Sequence, residues 1–336
     1  MAFKVEEKTI KGNTVTEITY ESAAQKITLT TLGASIKRFF APDRKGNFEN
    51  IVLTYADDED YVENTKYLGA TVGPYAGRIF PPELFVNDDH YRLESNFMDN
   101  VNLHSGSESI SRHNFNHLIK DDQTVLFTTV KPAENSRYPG FITFIVTYRF
   151  KEDGMEITYE TTTDKDTYTN LTNHTYFNLT GTPAKSILDH WLKIPAEKYL
   201  VLDEFYVGQS LEDVSGTPFD FREEKPIREA VETLEKSPQK GIDHPFLLEE
   251  QNLSIKDETS GRFLSITTDY ETVVVYTNNL PTDHLLEQGL KDRTHHAVCL
   301  ECQHLPNDIH FSKEPASFQA AGTVKKRHIH YKIGTL

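Results

Sequence analysis

Two widely separated stretches of this 336-residue chain carry side chains that could move protons near neutral pH. In the first, Leu171-Thr172-Asn173-His174-Thr175-Tyr176-Phe177-Asn178-Leu179, strand alternation would put Thr172, His174, Tyr176 and Asn178 on one face and Leu171, Phe177 and Leu179 on the other. A histidine on a polar face can hold or release a proton at that pH, which suits general acid catalysis. The same pattern also describes a surface strand with an idle histidine. In the second stretch, His296 to Leu305, the residues Val298, Leu300 and Cys302 share one face, while Ala297, Cys299, Glu301 and Gln303 share the other. A carboxylate among small residues in an otherwise apolar strand is exposed to desolvation, which raises its pKa towards the range of a general base. On a solvated sheet face Glu301 would be an ordinary surface acid.

Three loops add polar groups among turn-forming residues: Gly73 to Ile79 with Arg78, Leu103 to Gly106 with His104, and Gly241 to Phe246 with Asp243. Each could hydrogen-bond a ligand, and each taken singly also reads as an ordinary turn. Cys299 and Cys302 have CxxC spacing, but on a strand they point to opposite faces, so neither a disulfide nor shared metal ligation is expected. The fourteen histidines include His295-His296 and His328-Ile329-His330, yet neither of these pairs shows helical HxxxH spacing or a companion cysteine pair. No metal is expected.

The elements that must position these groups read as strands. Ile27 alternates with Leu29, and Ile142, Phe144, Val146, Tyr148 and Phe150 share one parity. Ile157 and Tyr159 follow a turn at Asp153-Gly154. Val273-Val274-Val275-Tyr276 is an unbroken β-branched run expected to be buried on both faces under a second sheet. One helix is predicted after Pro226, where Ile227, Ala230, Val231 and Leu234 take i, i+3, i+4 and i+7. With no repeat, linker or composition shift, the expectation is an all-β chain. It would form two packed antiparallel sheets in a single domain over residues 1–336, with a few short peripheral helices and function in the loops. The 20 Phe and 16 Tyr against one Trp and three Met agree with strands.

A formal charge of −16 would repel phosphate backbones and anionic lipid, so nucleic acid and membrane are not expected partners, whereas a neutral small molecule is indifferent to it. Met1 to Lys8 contains no apolar core of signal-peptide length, and two cysteines in so long a chain fit a reducing compartment. Both readings lead to the cytoplasm. The sequons at Asn170 and Asn173 are then accidents of a Thr-rich sequence. Oligomeric state is not legible.

Together the segments Asn170–Leu179, Gly77-Arg78-Ile79, Leu103-His104, Tyr138-Pro139-Gly140, Pro218–Arg222, Gly241–His244 and Glu301-Cys302-Gln303 resemble the aldose 1-epimerase family, the galactose mutarotases, over most of the chain. The resemblance implies a large galactose mutarotase-like β-sandwich with a sugar cleft across one sheet. It implies Glu301 as general base, His174 as general acid, and Arg78, His104 and Asp243 as groups holding the sugar, with no cofactor. The implied substrate is a free monosaccharide or a reducing disaccharide such as maltose. Departures from the family pattern are Gly77 where Asn is common before the Arg, Ser105 in place of a second Gly, and Pro306-Asn307-Asp308-Ile309-His310 in place of Pro-Asp-Ala-x-Asn. Two other readings stand beside this one. Asp243 and Glu301 could serve a glycoside hydrolase as its two carboxylates, or the same scaffold could bind sugar without turning it over.

Overall fold

The computed structural model describes residues 3–134 and 136–336, so Met1 and Ala2, with which the N-terminal reading began, lie outside it. Almost every segment with period-two hydrophobicity is a strand. Ile142–Lys151 buries the parity of Ile142, Phe144, Val146, Tyr148 and Phe150, and pairs with Gly154–Thr163 through a tight turn. The predicted helix runs Ile227–Leu234 and buries Ile227, Ala230 and Val231, starting directly after Pro226. Proline is tolerated there because the first turn of a helix leaves its N–H groups without intrahelical partners.

The strands form three large antiparallel sheets in two layers. One layer is a nine-stranded sheet in the order Asn116–Asp121, Thr124–Lys131, Ile142–Lys151, Gly154–Thr163, Val324–Thr335, Arg262–Thr268, Asn252–Lys256, Trp191–Lys193, Lys225–Pro226. The other layer has two parts. A five-stranded meander spans Lys4 to Asn50, and a six-stranded sheet runs in the order Tyr176–Phe177, Val298–Gln303, Thr272–Tyr276, Asp243–Leu248, Ala196–Leu202, Gly208–Asp213. The two parts are joined by a bridge between Val52 and Phe177 and by the Leu53 N–H donating to the Tyr176 carbonyl.

Aromatic contacts fasten the layers together. Tyr20 of the meander stacks on Phe150 at 4.5 Å, and Phe177 meets Tyr331 edge-on at 5.5 Å. Tyr20, Phe150, Val273, Leu300, Phe246 and Ile329 belong to one continuous core spanning all three sheets. Arg262, fully buried, donates to the carbonyls of Ala41, Leu179 and Asn47 and to the Glu49 carboxylate, tying the nine-stranded sheet to the layer above it. No helix among the described residues is long and apolar enough to cross a membrane.

The six-stranded sheet has two unlike faces because its side chains alternate. Val273, Val275, Leu300, Cys302 and Phe246 point into the core. Tyr176, Val274, Tyr276, Asp243, Glu301 and Gln303 line a cavity on the other side. The β-branched run is therefore buried on both faces as expected, but no second sheet lies over Val274. Loops carrying Lys66, Tyr67, Arg78, Phe97, His104 and Pro306 cover it. Cys299 and Cys302 are free and buried in different apolar clusters, as opposite strand faces require.

Candidate active site

The cavity has a volume of about 450 Å³, within the range of small-molecule sites, and it gathers all five residues singled out from the sequence: Arg78, His104, His174, Asp243 and Glu301. Glu301 occupies the middle of Val298–Gln303, paired with Val274, and is 3% exposed. The solvated-surface reading of this residue is thereby excluded. Burial, with the negative charge of Asp243 added, pushes its carboxyl up to about 8, although the Arg78 cation pulls the other way.

His174 stands in the break between Thr172–Asn173 and Tyr176–Phe177, where the expected continuous strand is interrupted. Thr172, Asn173, Thr175, Tyr176 and Asn178 around it are all buried, so this is no surface strand. Its Nε2 lies 3.5 Å from Glu301 Oε1 and its Nδ1 lies 3.6 Å from Cys299 Sγ. Burial, aided by the charges of Lys66 and Arg78, pushes the imidazole down to about 3. Between those two values burial favours a single proton on the facing pair, carried by the carboxyl.

Arg78 and His104 are set by a two-residue ladder in which Arg78 pairs with Leu103 and Ile79 with Asn102. The Gly77 N–H donates to His104 Nδ1 at 3.1 Å, so the neutral imidazole carries its hydrogen on Nε2, towards His174, whose ring centroid lies 5.3 Å away. Burial, then the proximity of His174 and Arg78, holds His104 well below the usual histidine range. Arg78 forks onto both oxygens of Asp243 at 2.8 and 3.3 Å and lies between the rings of Phe97 and Tyr206, 5.2 and 5.1 Å from their centroids. Burial works against its charge, yet Asp243 more than offsets this and raises its pKa.

The departures noted in the sequence have structural roles. Ser105, at a φ of 67°, accepts the Tyr75 N–H with its hydroxyl and donates to the Tyr75 carbonyl. Asn307 brackets Phe80 with hydrogen bonds to its N–H and carbonyl, and Asp308 accepts from the Tyr75 and Ser317 hydroxyls. Both hold the loop that delivers Arg78. Gly77 sits at a φ of +83°, and a Cβ there would come within 2.8 Å of Gln303 Nε2 and 2.9 Å of Pro306.

Several lining residues escaped sequence reasoning. The Tyr67 ring packs at a tilt against His104 and His174, with centroids 4.8 and 5.7 Å away, and nothing in its local sequence marks it. Lys66 is a buried ammonium paired with Asp292 at 2.8 Å and hydrogen-bonded to Asn278, 5.1 Å from the ring of Tyr176. A cation so paired could have been suspected only from contacts more than two hundred residues apart in sequence. Ligand-type atoms of His104, His174 and Glu301 also lie within 4.8 Å of one another, a trio from three distant segments that no local spacing could reveal. Two imidazoles and a carboxylate are donor types that zinc accepts, and the same groups can hydrogen-bond the hydroxyls of an organic ligand.

The aldose 1-epimerase family model matches residues 16–332. The mouse galactose mutarotase is 30% identical over 318 residues, covering 93% of this chain and 92% of that protein. The aldose 1-epimerase of Escherichia coli K12 is 34% identical over 234 residues, 68% of this chain and 66% of that protein. Among solved structures, an aldose epimerase homologue from C. elegans superposes with a TM-score of 0.87 at 23% identity, covering 100% of both chains. A galactose 1-epimerase from Lactobacillus acidophilus superposes with a TM-score of 0.85 at 24% identity, covering 99% of both.

Proposed function

The chain belongs to the aldose 1-epimerase family, and on that premise we propose that Glu301 and His174 are the base and acid with which it opens and recloses the ring of a free aldose. The reaction is interconversion of the α and β anomers. The single observation carrying the residue assignment is the 3.5 Å approach of His174 Nε2 to Glu301 Oε1 in the cavity.

In the productive complex that proton sits on His174 and Glu301 is a carboxylate. Glu301 takes the proton of the C1 hydroxyl, and the imidazolium Nε2–H protonates the ring oxygen. The bond from C1 to the ring oxygen breaks, leaving an open-chain aldehyde. The pair is now carboxylic acid and neutral imidazole, the arrangement that burial favours. Rotation about C1–C2 presents the other face of the aldehyde. Nε2 then removes the proton from the C5 hydroxyl, which attacks C1 as Glu301 returns its proton to the C1 oxygen. Cys299 at Nδ1 supports the assignment of Nε2 as the nitrogen that changes protonation. His104 Nε2–H, Arg78 and Asp243 are assigned to hold the sugar's hydroxyls against the Tyr67 and Tyr176 side of the cavity.

Both oxygens of Asp243 are engaged by Arg78, which supports reading it as an anchor rather than as the second carboxylate of a glycoside hydrolase. The core shared by all three sheets supports treating residues 1–336 as one domain, and two free buried cysteines support residence in the cytoplasm. The test is polarimetry of freshly dissolved α-glucose, α-galactose and maltose with and without the protein. At least one rotation should relax faster with it, and the ranking gives the preferred aldose. For that sugar, kcat/KM should be level at neutral pH and fall above about 8, where the pair loses its only proton. An alkaline limb absent up to pH 10 would remove Glu301 as the titrating partner.

A further inference from the structure

Two places beyond Glu301 on the same strand face is Gln303, whose amide has no part in the mechanism above. Its side chain is fully buried and lines the cavity, yet neither Nε2 nor Oε1 has a hydrogen-bond partner. A buried amide with both atoms unpaired costs on the order of 1–3 kcal/mol per group, so folding alone gives no reason to retain it. Its surroundings hold it towards the cavity. The Gln303 carbonyl is anchored by the Thr272 hydroxyl, and on the opposite flank Gly77 and Pro306 close around the amide. A side chain at position 77 would place its Cβ 2.8 Å from Gln303 Nε2, so the glycine leaves the amide the space it occupies.

We propose that Gln303 is a substrate-positioning residue whose amide holds two adjacent sugar hydroxyls across the ring from C1, one donating to Oε1 and the other accepting from Nε2–H. A primary amide presents a donor and an acceptor side by side, which a vicinal diol can satisfy together, one hydroxyl to each atom. Residues i and i+2 of a strand are about 6.6–6.8 Å apart. With Glu301 at the C1 hydroxyl, Gln303 therefore reaches the far side of the pyranose, at C3 and C4. The inference rests on the placement of C1 against Glu301 and adds to it the direction in which the ring lies.

The experiment compares the preferred aldose with its 3-deoxy, 4-deoxy and 6-deoxy analogues in the wild-type protein and in Gln303→Leu. Loss of two neutral hydrogen bonds made equally in ground and transition states should raise KM about 10-fold or more and leave kcat within about threefold. The wild type should lose several-fold in kcat/KM on the 3-deoxy and 4-deoxy sugars, and Gln303→Leu should no longer distinguish either from the parent. The 6-deoxy penalty should be the same in both proteins. Gln303→Met, unbranched and of similar length, serves if the leucine variant does not fold. A purely structural role would lower the melting temperature and leave KM and the analogue pattern intact, and that result overturns the proposal. So does a wild type indifferent to the 3- and 4-hydroxyls, whatever the variants do. Failure to anomerise the parent sugar at all would instead strike at the Glu301 and His174 assignment, so the two failures are separable.

Discussion

Arg262 and Arg78 are both withdrawn from bulk water, and the fold treats them in opposite ways. Arg262 spends Nε, Nη1 and Nη2 on three backbone carbonyls and a carboxylate, and no surface remains exposed. Arg78 gives its two terminal nitrogens to Asp243, leaves Nε without a partner, and keeps 17% of its side chain open. All three nitrogens of the Arg262 guanidinium are answered by other parts of the chain. Around Arg78 the unanswered atoms accumulate: its own Nε, both amide atoms of Gln303, and a carboxyl held up near 8. A buried charge completed by the protein is a fastening, whereas one left incomplete beside a cavity marks where a ligand must complete it.

The sharpest way to break this contrast is at the Glu301 and His174 pair. Glu301→Gln and His174→Asn should each lower kcat by roughly 10²–10⁴-fold, the range for a positioned acid or base. Because the two residues pass one proton between them, the double variant should be little slower than either single one. Multiplicative losses in the double variant would mean that they act independently and do not share a proton.

At the fastening, Arg262→Met should cost about 3–5 kcal/mol, since it leaves desolvated carbonyls without donors. Denaturant or thermal unfolding reads this as a lowered midpoint, with KM and kcat near wild type. A kinetic defect without a stability defect would reverse the roles assigned to the two arginines. A smaller and opposite change is expected for the active-site acid. The folded pKa of Glu301, about 8, exceeds the ordinary carboxylate value of 4.5, so its stability contribution is intact below 4.5 and is lost as pH rises through 8. Glu301→Gln removes this penalty. Its melting temperature should match wild type near pH 4.5 and exceed it by several degrees above pH 8, a difference of a few kcal/mol. A gap that does not widen with pH would show that the carboxyl ionises freely in the native state.

Much of this was legible in the sequence wherever one side chain reports one local fact. Alternation marked the Ile142–Lys151 strand, Pro226 and its i, i+3, i+4 pattern marked the helix, and the neighbours Ala297 and Cys299 raised desolvation of Glu301 as one of two readings, the one its burial bears out. The resemblance of whole segments supplied the five residues that meet in the cavity. What stayed hidden depends on chain closure. The interruption at His174 arises because its flanking pairs go to different partners, Thr71–Val72 on one side and Val298–Cys299 on the other. Tyr67 and Lys66 enter the site only through contacts with distant segments, and the unsatisfied amide of Gln303 is a statement about missing neighbours, which no linear pattern records.

The mildest test sits between the two arginines' modes of pairing, at Asp243→Asn. An amide still accepts one hydrogen bond from Arg78, so the guanidinium should stay near its place while the pair loses one negative charge. Two consequences follow, of different kinds. Sugar binding should weaken, with KM rising about 10-fold, the cost of one charge-assisted hydrogen bond. The alkaline limb of kcat/KM should also move to lower pH. Asp243 raises the Glu301 pKa by repulsion and Arg78 lowers it, so neutralising the first leaves the second unopposed. Burial alone would still hold Glu301 above an ordinary carboxylate, and the limb should stop short of pH 4.5. A pH profile superimposable on wild type, with KM raised, would confine Asp243 to binding and place the raised pKa wholly in the desolvation of Glu301 by its strand neighbours.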